Sequence, residues 1–166
     1  MKIIAMLLLL VGLQVNISAQ NNNDSFNPAQ TSAKVLTKRI IKINTPDSIN
    51  PDFEVSRGTA LVFQYEYKAK EYINMADDEM VERIIFQVSP RGTRFDFNTS
   101  SISKAKMIYT LSCFCAERGN YVIKHGRISG RKISKRVWEV QFDFTYFSRS
   151  SNTPIHKKFR VKFKTA

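Results

Sequence analysis

The stretch VWEVQFDFTYF, residues 137–147, alternates Trp138, Val140, Phe142, Phe144 and Tyr146 with Glu139, Gln141, Asp143 and Thr145. Period-two alternation of this kind marks a β-strand with one face buried and the other in water. After the turn-rich SRSSNTP (148–154) the pattern resumes. Ile155, Phe159, Val161 and Phe163 share one face, while His156, Lys158, Arg160, Lys162 and Lys164 share the other. Two such strands around a turn should pair as a hairpin. The register that matches their faces sets Trp138 beside Phe163, Val140 beside Val161 and Phe142 beside Phe159. It also opposes Glu139 to Lys162 and Asp143 to Lys158 on the polar side. Each opposed charge pair contributes about 0.2–1 kcal/mol, so burial rather than ion pairing holds this hairpin. A slip of one residue would turn the whole aromatic row outward.

Working toward the N-terminus, the same period recurs. LVFQYEYK (61–68) puts Leu61, Phe63, Tyr65 and Tyr67 on one face. RIIFQVS (83–89) offers Ile84, Phe86 and Val88 and stops at the turn signal SPRGT. AKVLTKRIIKI (33–43), MIYTLSCFC (107–115) and YVIKHGRIS (121–129) supply further strands, with AERGN (116–120) as the turn between the last two, and RFDF (94–97) forms a short one. The expected fold is therefore all-β, an antiparallel sandwich or barrel of about eight strands. Residues 69–83 admit two readings. Good helix formers place Ile73, Ala76, Met80 and Ile84 on one helical face, whereas strong flanking strands favour a long hairpin with MADDE at its tip and Tyr72 and Met80 on its arms.

The first nineteen residues, MKIIAMLLLLVGLQVNISA, read as a secretory signal. Lys2 supplies the positive start, Ile3 to Leu13 the apolar run, and Ala19 a small residue at the cut. The run is short for a membrane span; a retained N-terminal anchor is the alternative. Residues 20–33 are polar and read as a flexible leader, and residues 34–166 as a single β domain. The expected location is secreted or periplasmic, with no transmembrane segment after cleavage. Charge is unevenly distributed. Residues 20–117 carry 12 basic and 12 acidic side chains, whereas residues 118–166 carry 13 Lys and Arg against only Glu139 and Asp143. The whole basic excess lies in the last third, which suggests a polyanionic partner, a membrane surface or solubility.

Both cysteines fall in SCFCAERGN, as Cys113 and Cys115. In one straight strand they would share a face as small apolar residues, with Cα atoms near the upper limit for a disulfide and side chains parallel. If the chain bends at Phe114 the sulfurs can bond, an outcome that an oxidising compartment favours. A third reading is a metal site built from Cys113, Cys115, His125 and His156, with ligands that suit zinc or copper(I) but not the usual zinc-finger spacing.

Catalytic signatures are missing. There is no H-E-x-x-H, and in GRISG the serine stands one place too late for a nucleophile elbow. Gly126 and Gly130 fit a bulge and a turn better than a phosphate loop. Asp77, Asp78 and Glu79 form an acidic cluster that reads as a solvated loop tip. No enzyme activity and no cofactor are expected. The strongest candidate for function is the polar row His156, Lys158, Arg160, Lys162 and Lys164, about 27 Å long at roughly 6.8 Å spacing. Arg118, Lys124, Arg127, Arg131, Lys132, Lys135 and Arg136 are candidates to widen it. Such a row binds anions or guards an edge strand. Its aromatics lie on the opposite face, which argues against specific nucleic-acid binding. The expected function is thus a non-enzymatic secreted binding protein for anionic glycans or cell-envelope components. The alternative is a thiol-redox or metal-handling protein using Cys113 and Cys115. Another envelope protein is a further candidate partner, and exposure of Ile41, Val62 or Ile85 would mark such a contact face.

Overall fold

The computed structural model describes residues 26–72 and 79–165. The signal segment, and the tip of the 69–83 segment with Asp77 and Asp78, lie outside the described residues. Eleven strands follow in chain order: β1 (Phe26–Asn27), β2 (Gln30–Ile43), β3 (Phe53–Lys68), β4 (Glu71–Tyr72), β5 (Val81–Val88), β6 (Arg94–Phe97), β7 (Ile108–Ser112), β8 (Gly119–Val122), β9 (His125–Ser134), β10 (Val137–Phe147) and β11 (Pro154–Thr165). A single 3-10 turn at Ile102–Ala105 is the only helical element among the described residues, and no helix there is long and apolar enough to cross a membrane.

The C-terminal hairpin forms in the expected register. Trp138 pairs with Phe163, Val140 with Val161, Phe142 with Phe159 and Asp143 with Lys158. Trp138, Val140, Phe142, Phe144 and Tyr146 are all buried, and Phe142 stacks on Phe159 at 4.9 Å between ring centres. Full burial of each large side chain contributes roughly 1.5–3 kcal/mol, which sets the register against a one-residue slip.

Nine strands form one sheet in the order β6-β9-β10-β11-β2-β3-β5-β7-β8, and β1 and β4 form a separate short pair. Every pairing is antiparallel except β11 with β2, which is parallel and limited to Lys164 beside Lys34 and Thr165 beside Val35. At that narrow seam the sheet folds back on itself, so that β3 and β5 face β10. Phe63 meets Trp138 edge-on at 5.6 Å, and Phe86 meets Phe142 at 5.7 Å. The core lies between these two halves. The expected barrel does not form, because β6 and β8 remain edges that never pair with each other.

Two expectations need correction. YVIKHGRIS is not one strand: the chain leaves β8 after Val122 and re-enters as β9 at His125, passing from one half of the sheet to the other. The leader is ordered further upstream than Lys34, since Gln30–Ala33 already pair with Tyr65–Lys68 and Phe26–Asn27 pair with Glu71–Tyr72. The hairpin reading of 69–83 holds at the described ends of the segment, with Lys68 opposite Val81 and the Ala69 N–H donating to the Met80 carbonyl at 2.8 Å.

The β2–β3 hairpin is bent by a bulge at Lys38 and Arg39, where Lys38 has φ of 54°. The bend carries the far end of the hairpin over the outer face of β3, β5 and β7. There Ile41, Val62, Ile85 and Ile108 build a second core with Leu36, Ile43, Phe53 and Val55. The Ile41 N–H donates to Gln87 Oε1 at 2.8 Å, and Lys106 Nζ donates to the Ile41 carbonyl at 2.9 Å. Ile41 and Val62 are 0% exposed and Ile85 is 7% exposed. The chain covers with its own hairpin the face that a partner would have needed.

Candidate functional site

Strand β7 ends at Ser112, and the turn from Cys113 to Arg118 leads into β8. Cys113 and Cys115 are joined by a disulfide, with their Cα atoms 5.2 Å apart. That distance falls within the usual range for the bond and below the roughly 6.8 Å of a straight strand. The backbone therefore bends at Phe114, and the straight-strand arrangement with two core thiols is excluded. Cys113 is half-buried against the main core, Cys115 is exposed, and Phe114 at the apex is 76% exposed.

The turn is held by a second set of bonds independent of sulfur. Glu117 accepts hydrogen bonds from Ser148 Oγ at 2.7 Å, from the Arg149 N–H at 2.8 Å and from Ser150 Oγ. Tyr121 Oη donates to the Glu117 carbonyl at 2.7 Å. The hydroxyls of Ser150 and Ser148, then the Arg149 amide, hold the Glu117 carboxyl at about 2, well below the usual carboxylate value. The Arg149 guanidinium lies 4.5 Å above the Tyr121 ring and donates to the carbonyls of Arg118, of Asn120 at 2.8 Å and of Ile49 at 2.6 Å. Two oppositely charged side chains thus tie together the β2–β3, β7–β8 and β10–β11 connections. Sequence reasoning passed over both. Their partners lie about 30 and 100 positions away, and no local pattern announces them.

A metal site at this turn would need thiolates, and both sulfurs are consumed in the bond. His125 and His156 lie instead on β9 and β11, on either side of Thr145 of β10. No group of three or more metal-ligating side chains occurs among the described residues.

The basic row lies where the alternation places it. His156, Lys158, Arg160, Lys162 and Lys164 are all exposed on β11. The row is not uniform, however. His156 Nε2 sits 2.7 Å and Lys158 Nζ 3.3 Å from the two oxygens of Asp143, whose carboxyl these contacts hold below its usual range, His156 contributing most. Arg160, Lys162 and Lys164 have no acidic partner among the described residues. Of the residues expected to widen the row, β9 contributes Arg127 and Arg131, paired with Asp96 and with Glu139 respectively. Arg118 belongs to the disulfide turn. Because β11 meets β2 over only two residues, most of its length is a sheet edge, and lysines there also discourage pairing with other chains.

Gly126 has φ of +129°, and a Cβ there would come within 2.4 Å of the Asp143 carbonyl oxygen. It permits the close approach of β9 to β10, and the phosphate-loop alternative has no geometry to support it. Comparison of the chain with protein-family models, with curated proteins and with solved structures finds no match.

Proposed function

We propose that this protein is exported and works in an oxidising compartment as a thiol–disulfide exchange partner through Cys113 and Cys115, acting stoichiometrically and not as an enzyme. One observation carries the proposal. The disulfide is exposed at Cys115, and its turn is already fastened by Glu117 and Arg149, so the bond is not needed to shape the turn. A bond closing so short a loop adds only on the order of 1–2 kcal/mol through chain entropy. Its value lies in its chemistry.

The difference in exposure assigns the roles. An incoming thiolate attacks Sγ of exposed Cys115, the S–S bond breaks, and the electron pair leaves on half-buried Cys113, which takes up a proton. A second thiol then attacks the partner's sulfur in the mixed disulfide and releases Cys115. The net change is one protein disulfide and two thiols converted to one protein dithiol and one partner disulfide. In the opposite direction Cys115 attacks a partner disulfide and Cys113 resolves the mixed species. The partner is a small thiol or a cysteine of another envelope protein.

The test is equilibration of the full chain in glutathione buffers of graded ratio, with thiol counting and circular dichroism on the same samples. The expected result is complete, reversible reduction with the sheet signal unchanged. Resistance to glutathione until the sheet unfolds would show a structural staple instead.

A further inference from the structure

The register across four strands aligns side chains from distant parts of the chain. On the outer face, Arg94 of β6 stands beside Arg131 of β9, then Glu139 of β10, then Lys162 of β11. The next row reads Asp96, Ser129, Gln141 and Arg160. Between the rows runs an open groove of about 700 Å³, bordered by Arg94, Arg131, Glu139 and Arg160 with Ser129 and Gln141 as its floor.

The groove's acids are already engaged. Glu139 accepts from Arg131 at 3.0 Å, and Asp96 is bound by Arg127. Arg94, Arg160 and Lys162 have no acidic partner among the described residues. Neighbouring strands lie about 4.8 Å apart, so Arg94 and Lys162, three strands apart, present positive charge roughly 14 Å apart. Arg160 stands on the same strand as Lys162, two residues along and one row down. Arg94 and Arg160 border the groove with no acidic partner among the described residues, and Lys162 ends the upper row beyond Glu139. Three such cations about a neutral hydrogen-bonding floor call for an extended ligand with separated negative groups and hydroxyls between them.

We propose that this groove binds an acidic glycan chain laid across β6, β9, β10 and β11, with its anionic groups on Arg94, Arg160 and Lys162 and its hydroxyls on Ser129 and Gln141. Single-stranded nucleic acid fits less well: Phe95 borders the groove, but its ring is engaged with Phe63 and Trp138 and not held free for a stacking base. A peptide could not add here as an extra strand, since the strands under this floor, β9 and β10, already have neighbours on both sides. The groove is independent of the disulfide and stands or falls separately from it.

The experiment is titration calorimetry of the full chain with heparin oligosaccharide, polyglutamate and single-stranded DNA at two salt concentrations. The variants are Arg94→Gln/Arg160→Gln and a control that removes the same charge elsewhere, Arg57→Gln/Lys68→Gln on β3. Heparin binding is expected to weaken at least tenfold in the first variant, with a shallower salt dependence, and to change less than twofold in the control. Lys162→Gln alone, on a surface position that cannot unfold the sheet, should weaken it severalfold. Equal losses in both double variants would overturn the groove in favour of diffuse charge, and tighter binding of polyglutamate or DNA would overturn the ligand class.

Discussion

The Glu117 carboxylate accepts a hydrogen bond from the backbone N–H of Arg149 at 2.8 Å, joining the β7–β8 turn to the β10–β11 turn across 32 positions of sequence. Folding holds this carboxyl at about 2 against an ordinary value of 4.5. A group whose folded value is depressed contributes stability that is fully present above its unfolded value and is lost as pH falls through its folded one. Glu117→Gln should therefore lower the Tm most above pH 4.5, and the gap to the parent should close between pH 4.5 and 2. Thermal melts of both proteins across that range check this. A gap that stays constant down to pH 2 would mean that the ionised carboxylate is not what binds the two turns.

The same fastening sets what the sulfurs contribute. With Glu117 and Arg149 intact, replacing Cys113 and Cys115 together by Ser should cost only about 1–2 kcal/mol, the entropy of a very short loop. Urea unfolding of the double variant measures it. A loss well beyond 4 kcal/mol would assign the disulfide to the architecture and remove the support for exchange chemistry.

Gly58 sits opposite the bulge of the β2–β3 hairpin, where Arg39 pairs with both Arg57 and Ala60. A Cβ at this position would lie 2.2 Å from Cγ2 of Ile40, with Cγ1 and Cβ of the same side chain within 3 Å. Gly58→Ala should destabilise by about 1–3 kcal/mol through overpacking. Ile40→Ala removes the two nearest obstructing atoms, Cγ2 and Cγ1, so the double variant should recover part of that loss. A double-mutant cycle on chemical denaturation tests the coupling, and simple additivity would show that the hairpin relaxes elsewhere.

What the sequence made legible and what it hid divide along physical lines. Phe142 beside Phe159 was readable because alternation along each strand and a short turn decide that register locally. The outward position of His156 to Lys164 followed from the same alternation. The register also set Asp143 against Lys158, whereas the diagonal reach of His156 to the same carboxylate is not encoded by alternation. Arg94 joins the groove only because β6 lies beside β9, a neighbour relation set by the overall topology. Ile41 and Ile85 are both buried although Ile84 and Phe86 are buried too, because a backbone bulge at Lys38 folds the hairpin over the second face. The bend at Phe114 is likewise a property of where β7 ends, so residue types alone left free thiols, a bonded pair and a metal site all open.

Lys157 breaks the alternation of β11 in an informative way. It lies opposite Phe144 on the core-facing side, and its Nζ reaches Glu82 of β5 at 2.7 Å while standing 5.8 Å from the Tyr109 ring centre. The side chains are 29% and 16% exposed, so this pair bridges the two halves of the folded sheet with little water around it. Removing one partner leaves the other charge poorly solvated, which usually costs more than the intact pair contributes. Lys157→Met and Glu82→Leu should each destabilise by roughly 2–4 kcal/mol. The double variant, which puts two apolar side chains across the gap, should lie within about 1 kcal/mol of the parent or above it. Denaturant midpoints of the three proteins decide the matter. If the double variant is as unstable as the sum of the single ones, the ion pair itself, and not the avoidance of a lone charge, clamps β11 to β5.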